Sequence, residues 1–478
     1  MKDCAYGAGG ANGVGFGDAP RRRSDAGAGD RRGSRVGAGE GVGDVGASAL
    51  ARLARAGRPG MRLLAAIAFA SLVAACGSTA KQSARIGDAP PTRIQSLEVE
   101  TQSFGDRVAV APGERAVVAL LAPMGQSRNA LDTIGRSIAN GAQLALNDIA
   151  LDDIELRLYD TGATPQGASL AAEAAAADGA ALILGPLLSR SASAVGPAAL
   201  SAGLPVISFS TDAAIAGENV FLIGFLPSED MRRVTDFAVS RGVSSFGALA
   251  PATLEGDVLL SAFQEAAAQA GGEILLAERY QQTFVEIEEG VRRYADAHKA
   301  ISETRPITGV LLADGGQSLN SVAAYLPFFD VAPDQSSQAA FEPALDKARF
   351  LGVGKWNDPL VLREPSLRGG WFAGPDPALR EQFAARYRAA FAQEPHALAS
   401  LGYDAMAAAG AMVAEARRAG SRFPFSREAI TSPIGFVGVN GVFKFNDTGL
   451  NERGLAVLEV GRDGFVVIDP APTGFPRG

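Results

Sequence analysis

Cysteine is nearly absent, with Cys4 and Cys76 the only two in 478 residues. Two cysteines cannot build the disulfide framework that staples small exported folds, so any folded part must stand on its own apolar core. Histidine is equally scarce. His298 and His396 lie far apart and in no ligand-spaced group with acids or cysteines, which leaves a zinc site or a histidine-based triad without support. There is no G-x-S-x-G elbow. A phosphate loop fails as well: Arg349 stands five positions before Gly354, where a glycine is needed, and Trp356 follows Lys355, where Ser or Thr would hold magnesium. Positive charge is also short, 44 Lys and Arg against 52 Asp and Glu for a net of −8. The first 75 residues carry +5 of that balance, so the chain from Cys76 onward stands at −13. Such acidity argues against nucleic-acid binding and against a polybasic membrane patch. No cofactor and no metal is expected.

What is present begins with an export signal. Met61 and Arg62 precede a hydrophobic run from Leu63 to Val73, then Ala74, Ala75 and Cys76. A charged start, a short apolar centre and a small-residue motif make a complete signal peptide over 61–75. The run is shorter than the roughly 20 apolar residues of a spanning helix. "LVAACGS" (72–78) resembles the lipobox of bacterial lipoproteins, whose cysteine is lipidated; the resemblance implies that Cys76 anchors the protein to a membrane, and Gly77 favours the outer one. Residues 1–60 are Gly, Ala, Arg and Asp in short scrambled repeats, too poor in apolar side chains to offset the entropy of ordering. They are either translated upstream DNA, with Met61 the start, or a disordered extension. Residues 76–114 read as a polar tether with a reach on the order of 35 Å.

From Ala116 the pattern turns regular. "AVVALLAP" (116–123), "IELRLYD" (154–160), "ALILGP" (181–186), "LPVISFS" (204–210) and "VFLIGF" (220–225) have strand length and composition. Helical spacing over 134–150 and 166–179 separates them. The alternation resumes with helices near 231–241, 258–270 and 284–303 and strands at 246–251, 273–280 and 307–314. Two helices, 378–393 and 398–418, precede strand-like pieces at 441–446 and 455–468. Strand–helix alternation with short loops predicts an α/β fold of two doubly wound, Rossmann-like lobes. The expected division is 115–226 with 377–436 for the first lobe, 227–376 with 437–470 for the second, and a tail over 471–478.

The candidate chemistry lies in "GPLLSRSASAVG" (185–196). A buried strand ends at Leu184, and Ser189, Ser191 and Ser193 open the next helix. Free N–H groups and hydroxyls at a helix start, on the carboxyl edge of a parallel sheet, suit a carboxylate. A serine serving only as the N-cap accounts for the same residues equally well. Ser210, Thr211 and Asp212 hold the matching position after the following strand, so the two loops could converge.

Read together, "IANGAQLALNDI", the stretch from "LRLYDTGATPQG" to "LPVISFSTD", and "YDAMAAAGAMVAEA" resemble the type I periplasmic binding proteins, the leucine-binding-protein family, over roughly 115–470. The resemblance implies two lobes joined by three crossovers, near Phe225 to Ser228, Gly370 to Pro377 and Gly435 to Gly441. It assigns a ligand carboxylate to Ser189 and to Thr211 or Asp212. An aromatic residue after the first strand of the second lobe and an acid after "GG" should follow. Here "PATLEGD" (251–257) has no aromatic, the acid position reads Leu319, and Asp314 precedes the glycines. "RFLGVGKWNDPLVLREPSLRGGWFAGPDP" (349–377) resembles the subgroup of penicillin-binding protein activators, outer-membrane lipoproteins of the same fold. That likeness makes Trp356, Trp371 and Phe372 candidates for a protein interface, with burial in the core as the other reading. The resemblances together imply a non-enzymatic, lipid-anchored periplasmic protein that regulates peptidoglycan synthesis through a penicillin-binding protein. The rival is a solute receptor that serves an amino-acid-type ABC permease and binds a small carboxylate-bearing ligand.

Overall fold

The computed structural model describes residues 106, 108–125, 129–337, 342–343 and 346–476. The expected leader (61–75), Cys76 and the preceding residues 1–60 lie outside the described residues, as does most of the expected tether. The tether's last part is seen against the first lobe: Val108 and Val110 pack on its core, and Val110 N–H donates to the Arg422 carbonyl at 2.8 Å.

The first sheet is built from β1 (Ala116–Ala122), β2 (Ile154–Asp160), β3 (Leu182–Leu184), β4 (Val206–Ser208) and β5 (Val220–Leu222), all parallel in the order β2-β1-β3-β4-β5. Its crossovers are α1 (Ala130–Ile149), α2 (Pro165–Ala177) and α3 (Ser189–Ser201). β3 and β4 are buried at every residue, which is why their sequences are continuous apolar runs. The side-chain oxygens of Asn129 and Thr164 accept first-turn N–H groups and start α1 and α2.

The second sheet follows α4 (Pro227–Ser240) and comprises β6 (Ser245–Pro251), β7 (Glu273–Tyr280), β8 (Gly309–Leu312), β9 (Arg349–Gly352) and β10 (Trp371–Gly374). Its helices are α5 (Leu254–Ala270), α6 (Phe284–Ser302) and α7 (Gly316–Phe328). The chain then returns to the first lobe as α8 (Pro377–Phe391), α9 (Ala399–Ala419), α10 (Arg427–Ile430) and an antiparallel sheet of β11 (Phe436–Gly438), β12 (Gly441–Phe445) and β13 (Asn451–Arg453). It ends on the antiparallel pair β14 (Ala456–Val460) and β15 (Phe465–Asp469), giving a seven-stranded order β15-β14-β10-β9-β8-β6-β7. The α/β architecture of two sheet-centred lobes agrees with the alternation read from the sequence.

The third crossover departs from expectation. Phe436, Phe443 and Phe445 pack with Phe221 in the core of the first lobe, and Asn451 Nδ2 donates to Leu222 and Gly224 carbonyls at 2.7 and 2.9 Å. Residues 437–453 therefore belong with the first lobe, and the chain crosses over at 454–455 rather than near Gly435 to Gly441. α9 closes that lobe by lying against α1 at short range. A Cβ on Gly402 would strike the Ile138 carbonyl, and one on Gly141 the Ala399 carbonyl.

A buried ion pair ties these pieces together. Asp404 of α9, fully buried, accepts from Val439 N–H at 2.7 Å, Asn440 Nδ2 at 2.8 Å and Arg453 Nη1 at 3.1 Å. Arg453 Nη2 donates to the Ile223 carbonyl at 2.7 Å, and its guanidinium stacks 4.9 Å from Phe225 and 5.1 Å from Phe443. Among the described residues, no helix is long and apolar enough to cross a membrane. Removing one partner of a buried pair strands the other charge in the interior. Asp404→Ala should thus lower the free energy of unfolding by about 3–5 kcal/mol, measured by urea denaturation; a loss below about 1 kcal/mol would show the pair to be dispensable.

Candidate functional site

The first-lobe edge is shaped by Gly185. It takes φ 97°, and a Cβ there would meet the Leu121 carbonyl, so the chain leaves β3 in a turn only glycine makes easily. α3 then begins at Ser189. Its N-cap is Leu188, which supplies no side-chain cap, so none of the three serines is the cap and the first-turn N–H groups lack a side-chain acceptor. Ser193 instead donates back to the Ser189 carbonyl at 3.0 Å.

Ser189, Ser210, Thr211 and Asp212 come together around a pocket of about 300 Å³ walled by Phe209 and Phe225. Ser191 does not join them; it is buried, and its Oγ has no partner among the described residues. Within the group the roles divide. Ser210 Oγ accepts Asp212 N–H at 3.1 Å and Asp212 Oδ1 accepts Ala214 N–H at 3.1 Å, so these two shape the turn. The hydroxyls of Ser189 and Thr211 have no hydrogen-bond partner among the described residues and remain available.

Thr211 and Phe225 also line a larger cavity of about 670 Å³ between the lobes. The second lobe contributes Asp230, the Gly315–Gly316 start of α7, Gly354 and Lys355. Gly315 is an N-cap without a side chain, so a second uncapped helix start opens on the same space. Lys355 is neutralised by Glu255 at 2.6 Å. Asp230 is the buried acid of this wall: burial, reinforced by the neighbouring Glu229 charge, pushes its carboxyl up to about 7, against the opposing effects of the Gly354 N–H and Arg453.

The acid expected after the glycines is elsewhere. Asp314 accepts from Tyr280 Oη at 2.7 Å, Gln282 Nε2 at 3.1 Å and Gly315 N–H at 2.8 Å, which makes it a structural residue, and Leu319 is buried in the core. Sequence reasoning missed Asp230 and Arg380, both in the cavity wall. The available signal was position, since each lies within a turn of the start of the helix that follows a crossover.

Trp356, Trp371 and Phe372, the expected interface, are each 0% exposed and belong to the second lobe's core. Trp356 Nε1 donates to the Leu312 carbonyl at 3.3 Å, Trp371 lies 4.4 Å beneath the Arg349 guanidinium, and Phe372 packs edge-on against Phe465. Burying these large rings outweighs displaying them; β10 places Trp371 and Phe372 inside the sheet, and the turn after β9 packs Trp356 against Phe372. The exposed large apolar side chains include Leu254, Val258, Phe284 and Val285, at and near the starts of α5 and α6. His298 packs beside Tyr294, and both histidine pKa values are lowered by burial. Among the described residues no group of three or more His, Cys, Asp or Glu could hold a metal ion.

A family model described as "Periplasmic binding protein" matches residues 117–464. Solved structures with the same fold include a putative branched-chain amino acid ABC transporter from Rhodospirillum rubrum, with TM-score 0.60, 18% identity, and cover of 74% of this chain and 100% of that one. An ABC transporter substrate-binding protein from Sphaerobacter thermophilus matches with TM-score 0.57 and 20% identity over 75% and 98% of the two chains. One from Desulfitobacterium hafniense, in complex with Leu, matches with TM-score 0.53 and 16% identity over 74% and 100%. An uncharacterized protein of Rickettsia prowazekii is 25% identical over 194 residues, 40% of this chain and 51% of that relative. The match thus spans about half the length of that curated relative.

Asp230 generates a pH test. Its folded pKa lies above the unfolded value of 3.8, so its contribution to stability is complete below about pH 4 and is lost as the pH rises toward about 7. Asp230→Asn keeps an acceptor for Gly354 N–H and cannot ionise. Thermal melts should show the variant gaining on the parent protein between pH 5 and pH 8; parallel melting curves across that range would contradict the raised pKa.

Proposed function

The chain belongs to the periplasmic binding protein family, and from that premise we propose that it is a non-catalytic periplasmic receptor that takes a small carboxylate-bearing solute between its lobes and delivers it to an ABC permease. The observation that carries this reading is the joined pair of spaces at the lobe interface. The smaller holds the unpartnered hydroxyls of Ser189 and Thr211 under an uncapped helix, and it shares Thr211 and Phe225 with the 670 Å³ cavity. Hydroxyls and first-turn N–H groups suit a carboxylate, and the volume falls within the few hundred to one thousand Å³ usual for small-ligand sites. Asp230 supplies a buried acid on the second lobe's side of the cavity. An ammonium group near it would favour the ionised carboxylate and so be held in turn. Lobe closure would enclose both groups.

A second reading, regulation of peptidoglycan synthesis by docking on a penicillin-binding protein, is favoured by one observation. Leu254 is 86% exposed, and Val258, Phe284 and Val285 are also open to solvent around two helix starts of the second lobe. Exposed apolar side chains of this size suit a protein partner. Lipidation of Cys76 would hold either kind of protein at a membrane surface, and attachment to the outer membrane would suit this second reading over the first, because an ABC permease lies in the inner membrane.

Binding to the native state raises the melting temperature by mass action. A panel of amino acids and peptidoglycan fragments should contain a ligand that shifts it. Ser189→Ala combined with Thr211→Val should weaken that ligand by roughly tenfold or more, as expected for losing charge-assisted hydrogen bonds. A shift that survives both substitutions would remove the carboxylate subsite. Cross-linking in cells that captures a cell-wall synthase, with no ligand found, would favour the second reading.

A further inference from the structure

Arg380 lies one turn into α8, where the chain re-enters the first lobe after its second crossover. It lines the interlobe cavity and also an adjoining pocket of about 550 Å³. The two spaces share Asn357, Asp358, Arg380, Ala397 and Asn440, so Arg380 stands at their junction. Thr211 stands at the other junction of the same cavity, toward the Ser189 pocket, which Arg380 does not line. A ligand that fills the central space therefore meets Thr211 at one junction and Arg380 at the other.

The other arginines of α8 are committed. Arg386 pairs with Asp148 at 2.6 Å, and Arg388 with Glu381 and Glu394 at 2.6 and 3.2 Å. The Arg380 backbone N–H donates to the Asp376 carbonyl at 3.1 Å, but its guanidinium makes no hydrogen bond, ion pair or ring contact among the described residues. The acids around it are otherwise engaged: Glu255 with Lys355, Asp230 with the Gly354 N–H, and Asp358 with the Leu360 N–H at 2.8 Å. Arg380 is thus the unpaired cation of the described cavity wall. It is half-buried, and that burial lowers its pKa with no acid to oppose it. A half-buried guanidinium without a counter-charge is partly stripped of water, and an anion on the ligand offsets that loss.

We propose that the cleft recognises a dianionic ligand of the α,ω-dicarboxylate class, with one carboxylate at Ser189 and Thr211 and the second on the guanidinium of Arg380. This rests on the carboxylate subsite argued above and adds to it the substrate class. The second carboxylate and the planar guanidinium fit as a two-point pair, which a monocarboxylate of equal length cannot form.

Calorimetry and thermal melts would compare glutarate, adipate and pimelate with valerate, hexanoate and heptanoate, on the parent protein and on Arg380→Gln and Ser189→Ala. The expected result is that at least one dicarboxylate binds roughly tenfold or more tighter than its matched monocarboxylate. Arg380→Gln should erase that difference while leaving the unliganded melting temperature unchanged or higher, because no native ion pair is lost. Ser189→Ala should weaken both series. Equal binding of matched acids, or a preference that survives Arg380→Gln, overturns the dianion inference while the receptor reading stands. A drop in the unliganded melting temperature of Arg380→Gln with no change in ligand preference makes Arg380 structural and overturns it too. No binding by any of the six acids overturns the dianion inference while the receptor reading stands, and indifference of both series to Ser189→Ala removes the carboxylate subsite and the dianion inference with it.

Discussion

The pairing of Asp404 with Arg453 is the contact on which the two-lobed arrangement depends. Both side chains are almost wholly removed from water, so each charge is tolerable only while the other is present. Arg453 sits at the end of β13, beside the third crossover, and reaches the Ile223 carbonyl and the Phe225 ring of the first. Glu229, at the start of the second lobe's first helix, accepts the Arg453 N–H at 3.3 Å. One guanidinium therefore binds α9, the first crossover and the third into a single joint. Asn440 belongs to that joint and also lines the cavity, so the interlobe cavity and the connection between the lobes share a side chain.

Around this joint the distribution of charge follows burial. The second lobe has its own buried cation, Arg349, which lies over Trp371 with Asp334 and Glu459 at 3.4 and 3.9 Å and hydrogen bonds to Ser336. Of the two tryptophans in this segment rich in Pro and Gly, Trp371 covers that charge, and Trp356 packs against Phe372 in the core. The cavity is the opposite case. Its wall carries Thr211, Asp230 and Arg380, and the adjoining pocket Ser189, polar groups whose partners are few, in contrast to the ion-paired Arg349 cluster.

Much of this was legible beforehand for one physical reason. Parallel strands covered on both faces are continuous apolar runs, and their crossover helices repeat at 3.6 residues, so β1 to β8 and most helices stand out in the sequence. The convergence of the Ser189 and Thr211 loops was legible too, because loops leaving adjacent parallel strands emerge on one edge. α7 was not, since its 13 residues begin at glycines and contain Pro327. The third crossover was misread because "GVFKFN" alternates as any half-buried strand does; only the packing of Phe443 and Phe445 against Phe221 assigns it to the first lobe.

The sequence by itself determined the class of fold, the acidity of the chain, the poverty in histidine and cysteine that leaves a zinc site or a histidine-based triad without support, and the position of the first-lobe serines at a helix start. Those properties depend on composition and on short-range periodicity, which a linear string displays. Only the tertiary structure decided that Trp356, Trp371 and Phe372 are core, that Ser191 is buried away from the pocket, and that Asp230 and Arg380 line one cavity from different lobes. Asp230 and Arg380 are 150 residues apart in the chain. Their meeting depends on how two separately folded sheets are set by the crossovers, and no local pattern in the sequence encodes that orientation.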